Sequence, residues 1–287
     1  MGRALCTEAE AAERGFGDPA SACRRRILRE TLRAFEDADP PDRYHRLARE
    51  NLRRWRAEAG TPAAQLQVEV HRGDWGDVTR LLTRTHGASF AVLNMANSLV
   101  PGGAYVEGAV AQEENIFRRT DCHFRIRPDE YDSVLDRYTP DVTRLLEARD
   151  GRVHLDTERS RVCIRGPEDR SRDDLGYPWL PDEEVFPFFE LRASAQDLRD
   201  GSAFDPDEGR KRIVAQLDTL REHRVRHAVL GAFGCGAFRN PARQVARIYR
   251  EEIAARRKDF SVVAFAIFAP GYGPDNHTPF AQAFASA

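Results

Sequence analysis

Three short apolar runs, 89–93, 227–233 and 261–268, constrain most strongly how this chain folds. Each is continuous rather than alternating, the pattern of a strand covered on both faces. Such strands need helices above and below them, and the chain supplies those between the runs. One helix is predicted from Asp74 and Asp77 through 85. A second, over 207–224, turns Ile213, Leu217 and Leu220 inward, and a third starts at Asn240-Pro241 and ends near 256. Further strands are expected at 65–71, where Leu66, Val68 and Val70 share a face, near 161–165, and at 188–193. Strands alternating with helices predict an α/β fold, a three-layer α/β/α domain around a mixed central sheet.

Ahead of this core, 21–36 carries Ile27, Leu28, Thr31, Leu32 and Phe35 at helical spacing, and Pro40-Pro41 stops it. A second helix over 42–59 puts Tyr44, Leu47, Ala48, Leu52 and Trp55 on one side. The pair reads as a helical extension, residues 1–61, packed on a core of residues 62–287, with the boundary at Gly60-Thr61-Pro62. Residues 1–20 show little periodicity and are expected to fray. The Asp/Pro/aromatic-rich segment 166–187 is long for a loop and reads as functional or mobile. A Pro-Gly-rich tail follows 268.

Charge is almost balanced, 44 basic against 46 acidic residues, which argues against an extended duplex nucleic-acid or membrane surface. Five scattered cysteines form no C-x-x-C pair or zinc spacing and fit a reducing cytoplasm. There is no membrane-length apolar run, no signal-peptide pattern and no obvious metal-ligand set, so neither metal nor cofactor is expected.

The chemistry concentrates in 94–119. The apolar run enters Asn94-Met95-Ala96-Asn97, then the turn Pro101-Gly102-Gly103, then a helix opening Gln112-Glu113-Glu114. Strand, glycine turn and helix start suit a phosphate, because backbone N–H groups come within reach and the helix dipole adds positive character. A simple anion site does not need two acids there. Their presence points to catalysis, although acids at a helix start also complement its dipole, and Glu114 stands at i, i+4 to Arg118. Asn94 and Asn97 equally suit turns or caps.

The segment 231–240, Gly-Ala-Phe-Gly-Cys-Gly-Ala-Phe-Arg-Asn, repeats this order of strand, glycine loop and helix. Two such loops suit the two halves of a diphosphate, with Phe233 and Phe238 as flat surfaces for a ribose or base. Neither loop fits G-x-G-x-x-G with a distant acid, or G-x-x-x-x-G-K-[ST]. Cys235 has no base beside it and reads as a small buried filler.

Taken together, N-x-A-N, P-G-G, a seven-residue spacer after Ala104, Q-E-E and the downstream G-A-F-G-C-G-A-F resemble the bacterial-type poly(ADP-ribose) glycohydrolases. The similarity runs from about residue 24 to about residue 270. That family has a macrodomain fold with an N-terminal helical extension, and its signature carries a third glycine where this chain has Ala104. The resemblance implies cleavage of a ribose glycosidic bond to release ADP-ribose from polymer or ADP-ribosylated protein, with Glu114 as the catalytic acid. It also implies that Glu113 and Asn97 hold the ribose. Gly102, Gly103 and the loop Gly234, Cys235 and Gly236 would then line the diphosphate and Phe238 the distal ribose or adenine, with Ala104, Gln112 and Ala237 also at the substrate. Asp74 stands as either an adenine ligand or a helix cap. A methyl at Ala104 is expected to narrow the first loop or block a positive φ. Two alternatives stay open: a mono-ADP-ribosyl-arginine hydrolase of the same fold, and a non-catalytic ADP-ribose-binding module.

Overall fold

The structure, a computed structural model, describes residues 2–61, 65–269, 271 and 273–285. Pro62, the last residue of the expected boundary, and part of the Pro-Gly tail lie outside these residues.

The first segment is folded, contrary to expectation. Helix α1 (Glu8–Glu13) opens on a capping box in which Thr7 Oγ1 accepts from Glu10 N–H and the Glu10 carboxylate accepts from Thr7 N–H. Arg3, Cys6 and Ala11 are buried. The Thr-x-x-Glu signature at 7–10 was the local signal for that helix start.

Helix α2 (Pro19–Glu36) is capped by Asp18 and α3 (Arg43–Glu58) follows it. The core then runs β1 (Gln67–Arg72), α4 (Trp75–His86), β2 (Ala91–Met95), α5 (Gln112–Arg119) and a short hairpin of β3 (Tyr131–Asp132) and β4 (Arg137–Tyr138). After α6 (Pro140–Leu146) come β5 (His154–Cys163), β6 (Phe186–Ala193), α7 (Pro206–Glu222), β7 (His227–Leu230), α8 (Ala242–Ala255), β8 (Val262–Ile267) and α9 (His277–Phe284).

Six strands form one mixed sheet in the order β1-β8-β7-β2-β6-β5, all neighbours parallel except β5 against β6. Alternate strand residues feed two cores. Ala91, Leu93, Leu230, Val263 and Phe265 pack with Ile213, Leu217, Val245 and Tyr249 of α7 and α8. Val92, Val229, Val262 and Ala264 face the opposite way, onto Leu28, Leu32, Trp55, Leu82 and Phe117 of α2, α3, α4 and α5. This is the expected three-layer α/β fold, with α2 and α3 contributing to one outer layer.

The 166–187 segment is folded rather than open. Isolated bridges join Arg165 to Trp179 and Glu168 to Gly176. Leu175 and Tyr177 are buried against Ile27 of α2. Its ties across to α2 are ionic and hydrogen-bonded. Arg24 Nη2 lies 2.7 Å from Glu168 Oε1, and Arg165 Nε donates to Thr31 Oγ1 at 2.9 Å.

Candidate active site

Strands β7, β2 and β6 lie side by side and parallel, pairing Ala91 with Ala228 and Phe189. Their carboxyl ends therefore open on one edge of the sheet, where ligands bind in open α/β folds. Both glycine loops leave from that edge, the first after β2 and the second after β7. They touch at their roots: a methyl on Gly231 would stand 3.3 Å from Met95 Cε.

The first loop is tied to α5 by side chains at the helix start. Gln112 works as a strand rung, with Oε1 accepting from Met95 N–H at 3.0 Å and Nε2 donating to Leu93 O at 2.7 Å. Gln112, expected at the substrate, thus has its amide engaged by β2, which fixes the height of α5. Glu113 Oε2 accepts from Asn97 N–H at 2.7 Å and its Oε1 from Gly102 N–H at 3.1 Å. Glu114 Oε1 accepts from Ala104 N–H at 3.1 Å, while its Oε2 is buried with no partner among the described residues.

The two acids are 3% and 8% exposed. Burial first, and then the charge of Glu114, push Glu113 well above the usual carboxylate range, against the pull of its two N–H bonds. Burial also raises Glu114, opposed by Ala104 N–H and the Arg118 charge. Arg118 makes no ion pair with Glu114 among the described residues; its Nε donates to Tyr177 Oη and its Nη1 to Ala109 O. A carboxylic acid that burial holds above the ordinary carboxylate range, with one oxygen unspent, is equipped to donate a proton.

Gly102 and Gly103, expected at a diphosphate, have their N–H groups engaged within the protein. Gly102 N–H goes to Glu113 and Gly103 N–H to Val100 O, so this turn grips the protein's own acids. Gly102 and Gly103 have positive φ, at 73° and 57°, and Ala104 is not among the positive-φ residues. Its methyl therefore blocks nothing of that kind. Asn97 Oδ1 accepts from Leu99 and Val100 N–H, the turn-forming role, and its Nδ2 has no partner among the described residues. Asn94 is buried and donates to Glu190 Oε1 at 2.9 Å, a structural tie between β2 and β6.

The second loop differs. Gly234, at φ 73°, is packed so closely on Ala195 that a methyl would stand 2.5 Å from its Cβ. Gly236 and Ala237 are exposed, and their N–H groups have no partner among the described residues. This loop keeps donors available to an anion. Cys235 is a buried filler, its thiol pushed up to about 12 by burial. Phe233 belongs to the core rather than the site. Phe238 is half-buried, with the Arg199 guanidinium 5.0 Å from its ring centre. Asp74 caps α4 through Gly76 and Asp77 N–H and holds buried Arg119 at 2.7 Å. A cavity of about 210 Å³ opens beside the second loop, lined by Arg72, Phe268 and Asn276 among others, and Asn276 Nδ2 donates to Cys235 O.

Residues 31–137 match the family described as microbial-type PARG, catalytic domain. No curated protein matches the chain in sequence. Among solved structures, the chain is similar to the poly(ADP-ribose) glycohydrolase of Thermomonospora curvata, with a TM-score of 0.62 at 24% identity over 91% of this chain and 99% of that one. The same bacterial protein bound to the inhibitor ADP-HPD gives a TM-score of 0.61 at 24% identity, with the same shares covered. The glycohydrolase of Deinococcus radiodurans in complex with ADP-ribose gives 0.56 at 25% identity, over 86% and 92%. The resemblance carried by the sequence motifs and the α/β fold it implied agree with these findings.

Proposed function

We propose that this chain, which carries the microbial-type PARG catalytic domain over residues 31–137, is a glycohydrolase releasing ADP-ribose from poly(ADP-ribose) or ADP-ribosylated protein. The observation that carries this reading is the unequal use of two neighbouring buried acids. Glu113 has both oxygens on backbone N–H groups, and Glu114, held by Ala104 N–H of the first loop, keeps Oε2 unpartnered among the described residues.

Glu114, protonated, gives its proton to the oxygen leaving the anomeric carbon. The C–O bond breaks toward an oxocarbenium-like state, which the resulting Glu114 carboxylate stabilises. Water then adds to the anomeric carbon and Glu114 takes back a proton, restoring the acid. Glu113 and Asn97 Nδ2 orient the ribose hydroxyls. The N–H groups of Gly236 and Ala237 take the diphosphate, with Phe238 and the cavity wall at Phe268 receiving the adenosine end.

The two features that would favour an arginine-linked substrate lose their force here. Ala104 is not in a left-handed conformation, and the 166–187 segment packs on α2. A pure ADP-ribose reader has no use for two buried acids. The five free cysteines suit a reducing compartment, which we take to be the cytoplasm. No helix among the described residues is long and apolar enough to cross a membrane.

Incubation with poly(ADP-ribose), with mono-ADP-ribosyl-arginine peptide in parallel, tests the reading by release of free ADP-ribose. Release from the polymer supports it. Tight binding of ADP-ribose without release from either substrate overturns it in favour of a reader.

A further inference from the structure

Arg3 lies far outside the family-matched segment in sequence, yet its guanidinium is buried against the first glycine loop. Nη1 donates to Gly103 O at 2.5 Å. Nε and Nη2 grip Asp136 of the β3–β4 turn at 2.8 and 2.7 Å, and Nη2 also reaches Glu107 Oε1 at 3.4 Å. The guanidinium stands 5.6 Å from the Tyr105 ring centre, and Tyr105 Oη is 2.8 Å from His123 Nδ1. Asp136 is itself held by Tyr131 Oη at 2.6 Å.

Gly103 O and Ala104 N–H are the two ends of one peptide unit. Arg3 binds the oxygen end, and the hydrogen end is the donor that holds Glu114 Oε1 at 3.1 Å. We propose that Arg3 is a positioning residue for Glu114, fixing the Gly103–Ala104 peptide so that its N–H points at the catalytic carboxyl. The argument rests on the glycohydrolase reading for the role of Glu114, and on geometry for the rest.

A peptide following glycine at φ 57° has little of its own to stop it rotating, since glycine tolerates many backbone conformations. A cation on the carbonyl oxygen holds that plane and polarises the N–H, strengthening the donor. The bidentate hold of Asp136 orients the guanidinium, so the hairpin tip and the chain's first residues together set the loop. This explains why the first segment is ordered ahead of α1. It also gives Asp136, a non-glycine residue at φ 49°, a reason for its strained backbone.

The groups facing Glu114 are Glu113 and Arg118 on its own helix and Glu107 and Ala104 N–H on the loop; Arg3 reaches both the peptide that carries this N–H and, at 3.4 Å, Glu107, which Arg14 also holds at 2.7 Å. The test is therefore a ¹³C-carboxyl NMR titration of Glu114, assigned with Glu114→Gln, in the wild type, Arg3→Met, Arg3→Lys and Asp136→Asn. Arg3→Met is expected to raise the Glu114 midpoint, because its carboxylate loses an N–H donor. It should also lower kcat about tenfold, the weight of one weakened charge-assisted hydrogen bond, with little change in KM. Arg3→Lys, retaining one donor toward Gly103 O, should recover part of both, and Asp136→Asn should move both the same way by less. A folded Arg3→Met protein with an unchanged Glu114 titration overturns the proposal. If Arg3→Met does not fold, an unchanged titration in Asp136→Asn overturns it instead. The titration needs no turnover, so an inactive wild type sinks the glycohydrolase reading separately.

Discussion

A methyl group on Gly103 would stand 2.4 Å from Oε1 of Glu114. The turn and the acid are thus fitted to each other, and the missing side chain at 103 makes room for the carboxyl. Gly103→Ala combines that overlap with a left-handed backbone, which costs a residue with a Cβ about 1–2 kcal/mol. The expected outcome is loss of that order in urea unfolding and loss of most turnover. Ala104→Gly, one residue on, removes no such strain, so its rate on polymer should stay close to that of the wild type. A large gain in rate from Ala104→Gly would show that the alanine narrows the site after all.

Glu114→Gln keeps an oxygen for Ala104 N–H and removes only the proton donor. Turnover should fall by about 10²–10⁴, the usual weight of a general acid. Isothermal titration with ADP-ribose should give an affinity near that of the wild type.

The raised Glu114 acid sets the sign of two pH effects. Activity should fall as pH rises through its folded-state value, because the proton to be donated is gone. For stability, the unfolded chain releases this proton above about 4.3 while the folded one retains it, so folding weakens as pH rises from there to the folded value. Glu114→Gln removes that penalty. Thermal melts should show equal stability for the two proteins below about pH 4.3 and a growing advantage for the variant above it.

Tyr177 Oη takes donors from Asn115 Nδ2 and Arg118 Nε, both at 3.1 Å, and donates to Glu168 Oε2 at 2.8 Å. Tyr177→Phe leaves three buried groups short of a partner, so urea denaturation should reveal a loss of about 1–3 kcal/mol. Activity per folded molecule should fall less than for Glu114→Gln, since Tyr177 supports α5 from behind.

Thiol labelling followed by mass spectrometry should mark Cys23 first. It is the one partly exposed thiol among the described cysteines, whereas Cys6, Cys122, Cys163 and Cys235 are buried. Burial raises all four of those thiols, which keeps them from the reactive thiolate form until the protein unfolds.

The central strands were legible because burial on both faces leaves an unbroken apolar run, as at 227–230 and 262–267. β5 was read only at its end. It pairs with β6 alone among the strands, breaks register between Asp156 and Arg161, and carries charges where alternation would have shown. Helix α9 hid behind the Pro-Gly tail with only Phe280 fully buried. At the site, Glu113 and Glu114 stood out through spacing and order. What no local pattern encodes is where a hydrogen bond is spent. The engagement of Gln112 with β2, the turn's hold on its own acids and the reach of Arg3 to Gly103 all depend on contacts between distant parts of the chain.

The hydrogen bond from Thr31 Oγ1 to Arg118 O, at 2.8 Å, joins α2 to the backbone of the helix that carries both acids. Together with Arg24–Glu168 and Arg165–Thr31, it means that a fragment starting near residue 62 would bare unsatisfied buried groups behind α5. The extension and the sheet should therefore melt in one cooperative transition, and the excised fragment should lose its tertiary signal instead of surviving as a smaller enzyme.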